Sequence, residues 1–200
     1  MDELACEGCG LCVEVCPVDA LRLESIVCGT WYTGDTRYGP MAHARLLPAA
    51  ESSGRLVTLV RQKAEDLALQ GGLPLVLIDG PPGLDCTTVA ALADVDLAVV
   101  VTEPTLSGMH DMTRQVDLIR HFSIPAAVII NKWDINTENT QALREYCARE
   151  QLPLLGEIPY DTTATDALAK QVPLVEYNDG PAAQAIAQAW QAVAELLATL

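Results

Sequence analysis

The sequence predicts an α/β protein built on an open, mostly parallel sheet. Three short apolar runs carry that expectation: LVLI at residues 75–78, LAVVV at 97–101 and AAVII at 126–130. Apolar runs without alternation belong to strands covered on both faces, the usual condition of parallel sheets. Segments of helical spacing lie between and after the runs, each long enough to return the chain for another parallel strand. Each run also closes in a polar or glycine-rich turn, at the end of an open sheet where ligands collect.

From the amino terminus, residues 1–25 form a cysteine-rich module, and residues 26–200 the sheet-bearing domain. Cys6, Cys9, Cys12 and Cys16 stand at C-x2-C-x2-C-x3-C, with Pro17 directly after. That spacing is an iron–sulfur signature of the ferredoxin type, in which the fourth cysteine of a run ligates a different cluster from the first three. Gly8 and Gly10 give the turn the backbone freedom to aim neighbouring thiolates at one small cluster. Zinc is disfavoured, because no second C-x2-C knuckle or nearby histidine accompanies the run. A disulfide framework fits a short secreted chain, whereas this one opens with no basic and apolar leader.

Residues 26–47 alternate aromatic and glycine positions and predict short extended segments and turns. Leu56, Leu59, Val60, Lys63, Ala64 and Leu67 have helical spacing, and Gly71-Gly72 ends that helix. The strand at 75–78 comes next, then helices near 87–93, 106–121 and 138–150 around the strands at 97–101 and 126–130. A further strand is expected at 154–158, a helix at 163–170 and a terminal helix over 181–200. Helices are expected on both faces of the sheet.

With 12 Lys and Arg against 27 Asp and Glu, the chain carries a net charge of −15. That charge repels nucleic acid and anionic lipid. No apolar run reaches membrane-spanning length, and the terminal helix has no Lys or Arg for a membrane surface. Free thiols without an export signal point to the cytoplasm.

The strand ends hold the second set of candidates. Asp79, after the first run, is placed to orient magnesium or its water, and the turn Gly80-Pro81-Pro82-Gly83 offers backbone donors to a terminal phosphate. After the third run, Asn131, Lys132 and Asp134 form N-K-x-D, whose amide and carboxylate suit the edge of a nucleobase while the lysine stem covers its face. His43 lies where the cysteine module joins the main fold and either couples the module to the strand ends or is a structural or solvated side chain. His110 and Asp111 follow the strand at 97–101, where the alternatives are partner sensing and helix capping by Thr105 or Ser107. Cys147 is expected in the core, and Cys28 either packs beneath a strand or completes the coordination of the first cluster. Cys86 is either a small buried residue at a helix start or a metal ligand.

In the stretches CEGCGLCVEVCP, GPMAHARL, ESSGRLVTLVR, LIDGPPGLDC, VVTEPTLSGMHD, INKWD and LGEIPYD the chain resembles the MinD-superfamily P-loop ATPases that carry an inserted ferredoxin domain. The resemblance implies an ATPase of the deviant Walker A class using ATP and magnesium. It places Asp79 in the Walker B or switch segment and Asn131 on adenine. It also implies one 4Fe–4S cluster on Cys6, Cys9 and Cys12, with Cys16 serving a second. By analogy with the nitrogenase iron protein, Cys86 would face a cluster shared across a homodimer. Nucleotide state would then be coupled to electron transfer or cluster delivery to a redox or cluster-accepting partner. The alternatives are an iron–sulfur assembly carrier and a non-catalytic cluster-binding module.

One departure is plain. No G-x-x-x-x-G-K-[ST] phosphate loop occurs in the 200 residues, so the backbone cradle and its lysine are missing. The chain is therefore expected to be a fragment truncated at its amino end, poorly stable and inactive toward ATP by itself.

Overall fold

The computed structural model describes residues 9–24, 27–48, 50 and 52–200, so Cys6 and Gly8 lie outside the described residues. The chain divides into two compact units, Met1–Ala91 and Leu92–Leu200.

In the first unit, the cysteine turn leads into a one-turn helix, α1 (Leu11–Glu14). Gly10 precedes it at φ +80°, a left-handed conformation that favours glycine. An antiparallel hairpin follows, β1 (Gly29–Thr36) paired with β2 (Gly39–Leu46) from Gly29 opposite Leu46 to Thr36 opposite Gly39. His43 stacks on Tyr32 across this ladder, with ring centroids 5.2 Å apart. Helix α2 (Gly54–Gly71) starts where the Ser53 side chain accepts the Leu56 N–H. It ends at Gly72, again left-handed. Helix α3 (Cys86–Leu92) comes next. Arg61, 7 % exposed, ties α2 to α3 by donating to the Ala90 carbonyl at 2.9 Å.

The expected strand at 75–78 does not form. Residues 75–80 have no regular structure, and Leu75 and Leu77 are 43 % and 79 % exposed. The composition favours a strand, but a strand needs a neighbour for its backbone groups. None of the described residues supplies one.

The second unit carries the parallel sheet, in the order β3 (Ala98–Thr102), β4 (Ala126–Asn131), β5 (Leu154–Ile158). Central β4 is the most deeply buried: Ala127, Val128 and Ile130 have no exposure. Its core partners include Val116 and Met112 of α4 (Leu106–His121) and Leu143 and Cys147 of α5 (Thr137–Arg149). Cys147 is thus in the core as expected, and burial pushes its thiol above the usual range. Thr105 caps α4 by accepting the Gly108 N–H at 3.0 Å, while Ser107 only contacts the Thr105 hydroxyl.

Beyond β5 lie α6 (Thr163–Ala169), α7 (Leu174–Tyr177) and the terminal α8 (Pro181–Leu197). Helix α8 buries Ala182, Ala183, Ala189 and Val193. At Gly156 of β5 a methyl group would stand 2.8 Å from the Ala189 Cβ, so only glycine admits the helix this closely. No helix among the described residues is long and apolar enough to cross a membrane.

Candidate functional site

Two groups of candidate side chains emerge, one in each unit. In the first, Cys9 and Cys12 are exposed free thiols on the turn into α1. Cys16 is half-buried, and its sulfur accepts the Ala20 N–H at 3.3 Å. Backbone donors at Val18 and Ala20 hold the Cys16 thiol below its ordinary range. Such donors stabilise negative charge on sulfur, the form that binds iron. The donor set therefore fits an iron–sulfur cluster. Among the described residues no three Cys, His, Asp or Glu side chains converge on one metal-sized space.

Asp79 and Gly80 are exposed in the irregular segment of the first unit, and Gly83 sits at φ +93°. Asp85, not singled out in the sequence, organises this loop. Its carboxylate accepts the N–H groups of Thr87 at 2.9 Å and Thr88 at 3.1 Å, together with the Thr87 hydroxyl. Cys86 and Cys28 are both exposed, which corrects the buried alternative expected for each. Cys86 opens α3, whose inner face is carried by Thr87, Thr88 and Ala91. Cys28 falls just before the hairpin, where its carbonyl accepts the Leu47 N–H at 2.9 Å.

In the second unit the carboxyl ends of the strands form a polar crest. Asn131 ends β4, and Lys132 follows in a left-handed conformation at φ +53°. The Lys132 ammonium lies 2.6 Å from Glu103, which follows β3. Asp134 accepts the Tyr160 N–H through Oδ1 at 2.7 Å. Asn139 donates to the Pro104 carbonyl at 3.0 Å and so ties α5 to the loop after β3. Beyond β5, Asp161 accepts the N–H and hydroxyl of Thr163, whose oxygen also accepts from Asn178 at 2.8 Å. Sequence reasoning missed Glu103 and Asp161, although both follow strands as Asn131 does. His110 and Asp111 are exposed side chains 3.4 Å apart on α4.

These hydrogen bonds hold the Asp85 and Asp161 carboxyls below their ordinary pKa of 3.8. A depressed carboxylate adds stability above its unfolded pKa and loses it as pH falls through the folded one. Acid titration followed by circular dichroism is expected to show loss of structure setting in below that ordinary value, and Asp85→Asn with Asp161→Asn to flatten the dependence.

A profile for the 4Fe–4S binding domain matches residues 1–22, and the profile described as ParA, NUBPL iron-transfer P-loop NTPase, matches residues 53–196. The chain belongs to this ParA family. An uncharacterized protein of Methanocaldococcus jannaschii is 25 % identical over 86 % of this chain and 66 % of its own length. The iron-sulfur cluster carrier protein of Pyrococcus furiosus is 30 % identical over 66 % of this chain and 49 % of its own. Among solved structures, the MinD cell division protein of Aquifex aeolicus superposes with a TM-score of 0.62 at 19 % identity, over 82 % of this chain and 68 % of that one. This ParA-family chain thus spans about half to two thirds of the length of the relatives it matches. Its α/β architecture, with a three-stranded parallel sheet, matches the fold of that MinD structure.

Proposed function

We propose that the chain carries a 4Fe–4S cluster on Cys6, Cys9 and Cys12 and delivers it to an acceptor protein, with nucleotide state setting when delivery occurs. The observation that carries this reading is the cysteine turn, with Cys9 and Cys12 open to solvent and to a docking acceptor. The name of the Pyrococcus relatives supports it. By the spacing rule for ferredoxin-type runs, Cys16 is assigned to a second cluster.

In the nucleotide half, Asn131 contacts adenine, and Asp134 and Lys132 flank the base. Asp79 orients magnesium on the switch segment, next to the phosphate-facing turn from Gly80 to Gly83. Cys86 is the candidate ligand of a cluster bridging two copies. Unchanged iron per chain in Cys86→Ser would end that role.

Anaerobic reconstitution followed by mixing with an apo-ferredoxin tests the carrier reading. The expected result is loss of iron and sulfide from the chain matched by gain in the acceptor. Electron transfer is the second reading, favoured by the ferredoxin-type match over residues 1–22. It predicts that the cluster stays on the chain through repeated reduction and reoxidation, with no transfer.

A further inference from the structure

The β1–β2 hairpin has two unlike faces. Strand alternation puts Trp31, Thr33 and Asp35 on one face with Ala42, Ala44 and Leu46, and Tyr32, Met41, His43 and Arg45 on the other. The first face is the inner one. Ala42, Ala44 and Leu46 are half-buried there, and the Lys63 ammonium of α2 lies 5.6 Å from the centre of the Trp31 ring. On the outer face Tyr32, Met41, His43 and Arg45 are all exposed. Tyr32 and Met41 are 44 % and 47 % exposed, and the stack of Tyr32 on His43 fixes the ring before anything touches it.

Charge separates the two faces as well. The one carboxylate of the hairpin, Asp35, is on the inner face, whereas Arg45 is on the outer face and Arg37 in the turn. The chain as a whole carries −15, so a carboxylate-rich partner is repelled by most of its surface and tolerated here. A basic partner has no such need of this face. Tyr, Met and Arg are also the residue types enriched where proteins meet, and Asp, Glu and Lys those depleted there. The outer face has the first kind and none of the second.

Size decides between a lasting and a passing contact. Two strands of eight residues, at about 3.4 Å per residue and about 4.8 Å between strands, make a face of roughly 27 by 10 Å. That is about a third of the ~800 Å² each side of a stable complex buries. It is too little to hold two copies of this chain together, and it suits a partner that docks and leaves. The base of the hairpin is at Cys28, whose carbonyl accepts the Leu47 N–H, a few residues along the chain from the cysteine turn. We infer that the outer face of the hairpin docks an acidic protein, the acceptor of the cluster. What that partner receives rests on the carrier reading proposed above; where it binds rests on the hairpin.

The test uses the full 200-residue chain, reconstituted with iron and sulfide, and an acidic apo-ferredoxin as the probe. Complex formation is followed by biolayer interferometry, and iron in each partner by elemental analysis of the same samples. Tyr32→Ala combined with Met41→Ala is expected to weaken binding by at least about tenfold, because contacts of this kind carry most of an interface's energy. Arg45→Glu is expected to slow association by about tenfold at low salt, a difference that shrinks as salt screens the charge. Both variants are expected to take up iron as the parent does. Leu69→Ala, at a side chain 82 % exposed on α2, is the control and is expected to bind like the parent.

Should the double variant unfold, Arg45→Glu decides by itself, since it replaces one exposed side chain by another. Three results overturn the inference: binding unchanged in the hairpin variants, a polyglutamate peptide that binds as tightly as the ferredoxin, or self-association of the chain alone that the same variants abolish. Iron movement separates this inference from the carrier reading. Binding that needs the hairpin but delivers no iron supports the docking face and ends the carrier reading. Transfer at the parental rate from both variants keeps the carrier reading and overturns the docking face.

Discussion

Replacing Cys9 and Cys12 together by serine is expected to leave a protein that takes up almost no iron on anaerobic reconstitution and remains colourless. Serine keeps the shape of the turn but substitutes a hard, protonated oxygen for a soft thiolate, and iron–sulfur clusters are held by thiolates. Both side chains are exposed, so their loss removes no packing. Cys147→Ser supplies the contrast. That thiol is buried between α5 and the sheet, so the variant is expected to lose stability and keep its iron. Elemental analysis for iron and sulfide, with visible absorbance, checks both. Iron retained in full by the double variant would place the cluster elsewhere.

The second large effect is expected at Leu143, which has no exposure and lies in the core under β4. Leu143→Ala removes buried methyl groups and leaves a cavity, a change that costs about 2–5 kcal/mol. Domains are stable by only about 5–15 kcal/mol, so a large share of the folded state's margin is at stake. Leu106, 80 % exposed at the start of α4, is the control. Its alanine variant is expected to stay within about 0.5 kcal/mol of the parent in a urea titration.

The comparison of sequence with structure turns on what a neighbour supplies. Residues 97–101 and 126–130 were legible as strands because β-branched, uncharged runs of that length suit a sheet buried on both faces. Both appear, the first moved along by one residue and the second longer by one at its carboxyl end. Residues 75–78 carry the same signal and form no strand. Composition records a segment's demand for burial but not whether a partner stands beside it.

Asn131 was legible as a strand-end amide, and Thr105 as a cap, since each depends on residues a few positions away. The engagement of Asp134 by Tyr160, 26 residues on, was not. Nor was the ion pair of Lys132 with Glu103. Both arise because parallel strands bring their carboxyl ends to one rim, and only the assembled sheet decides which side chains meet there. For Cys86 the sequence left a buried and a ligand reading open, and its exposure removes the first. Cysteine is usually buried, but the inner face of α3 is already taken by two threonines and an alanine.

The contact between Gly156 and Ala189 governs where a reporter group can be attached. Because α8 lies against β5 through two of the smallest residues available, a dye or spin label anywhere on its inner row of Ala182, Ala183, Ala189 and Val193 would act as a wedge. Leu200, 61 % exposed just past the end of α8, has no such constraint. An affinity handle or fluorophore placed there should follow the chain through mixing experiments without prying its last helix from the sheet.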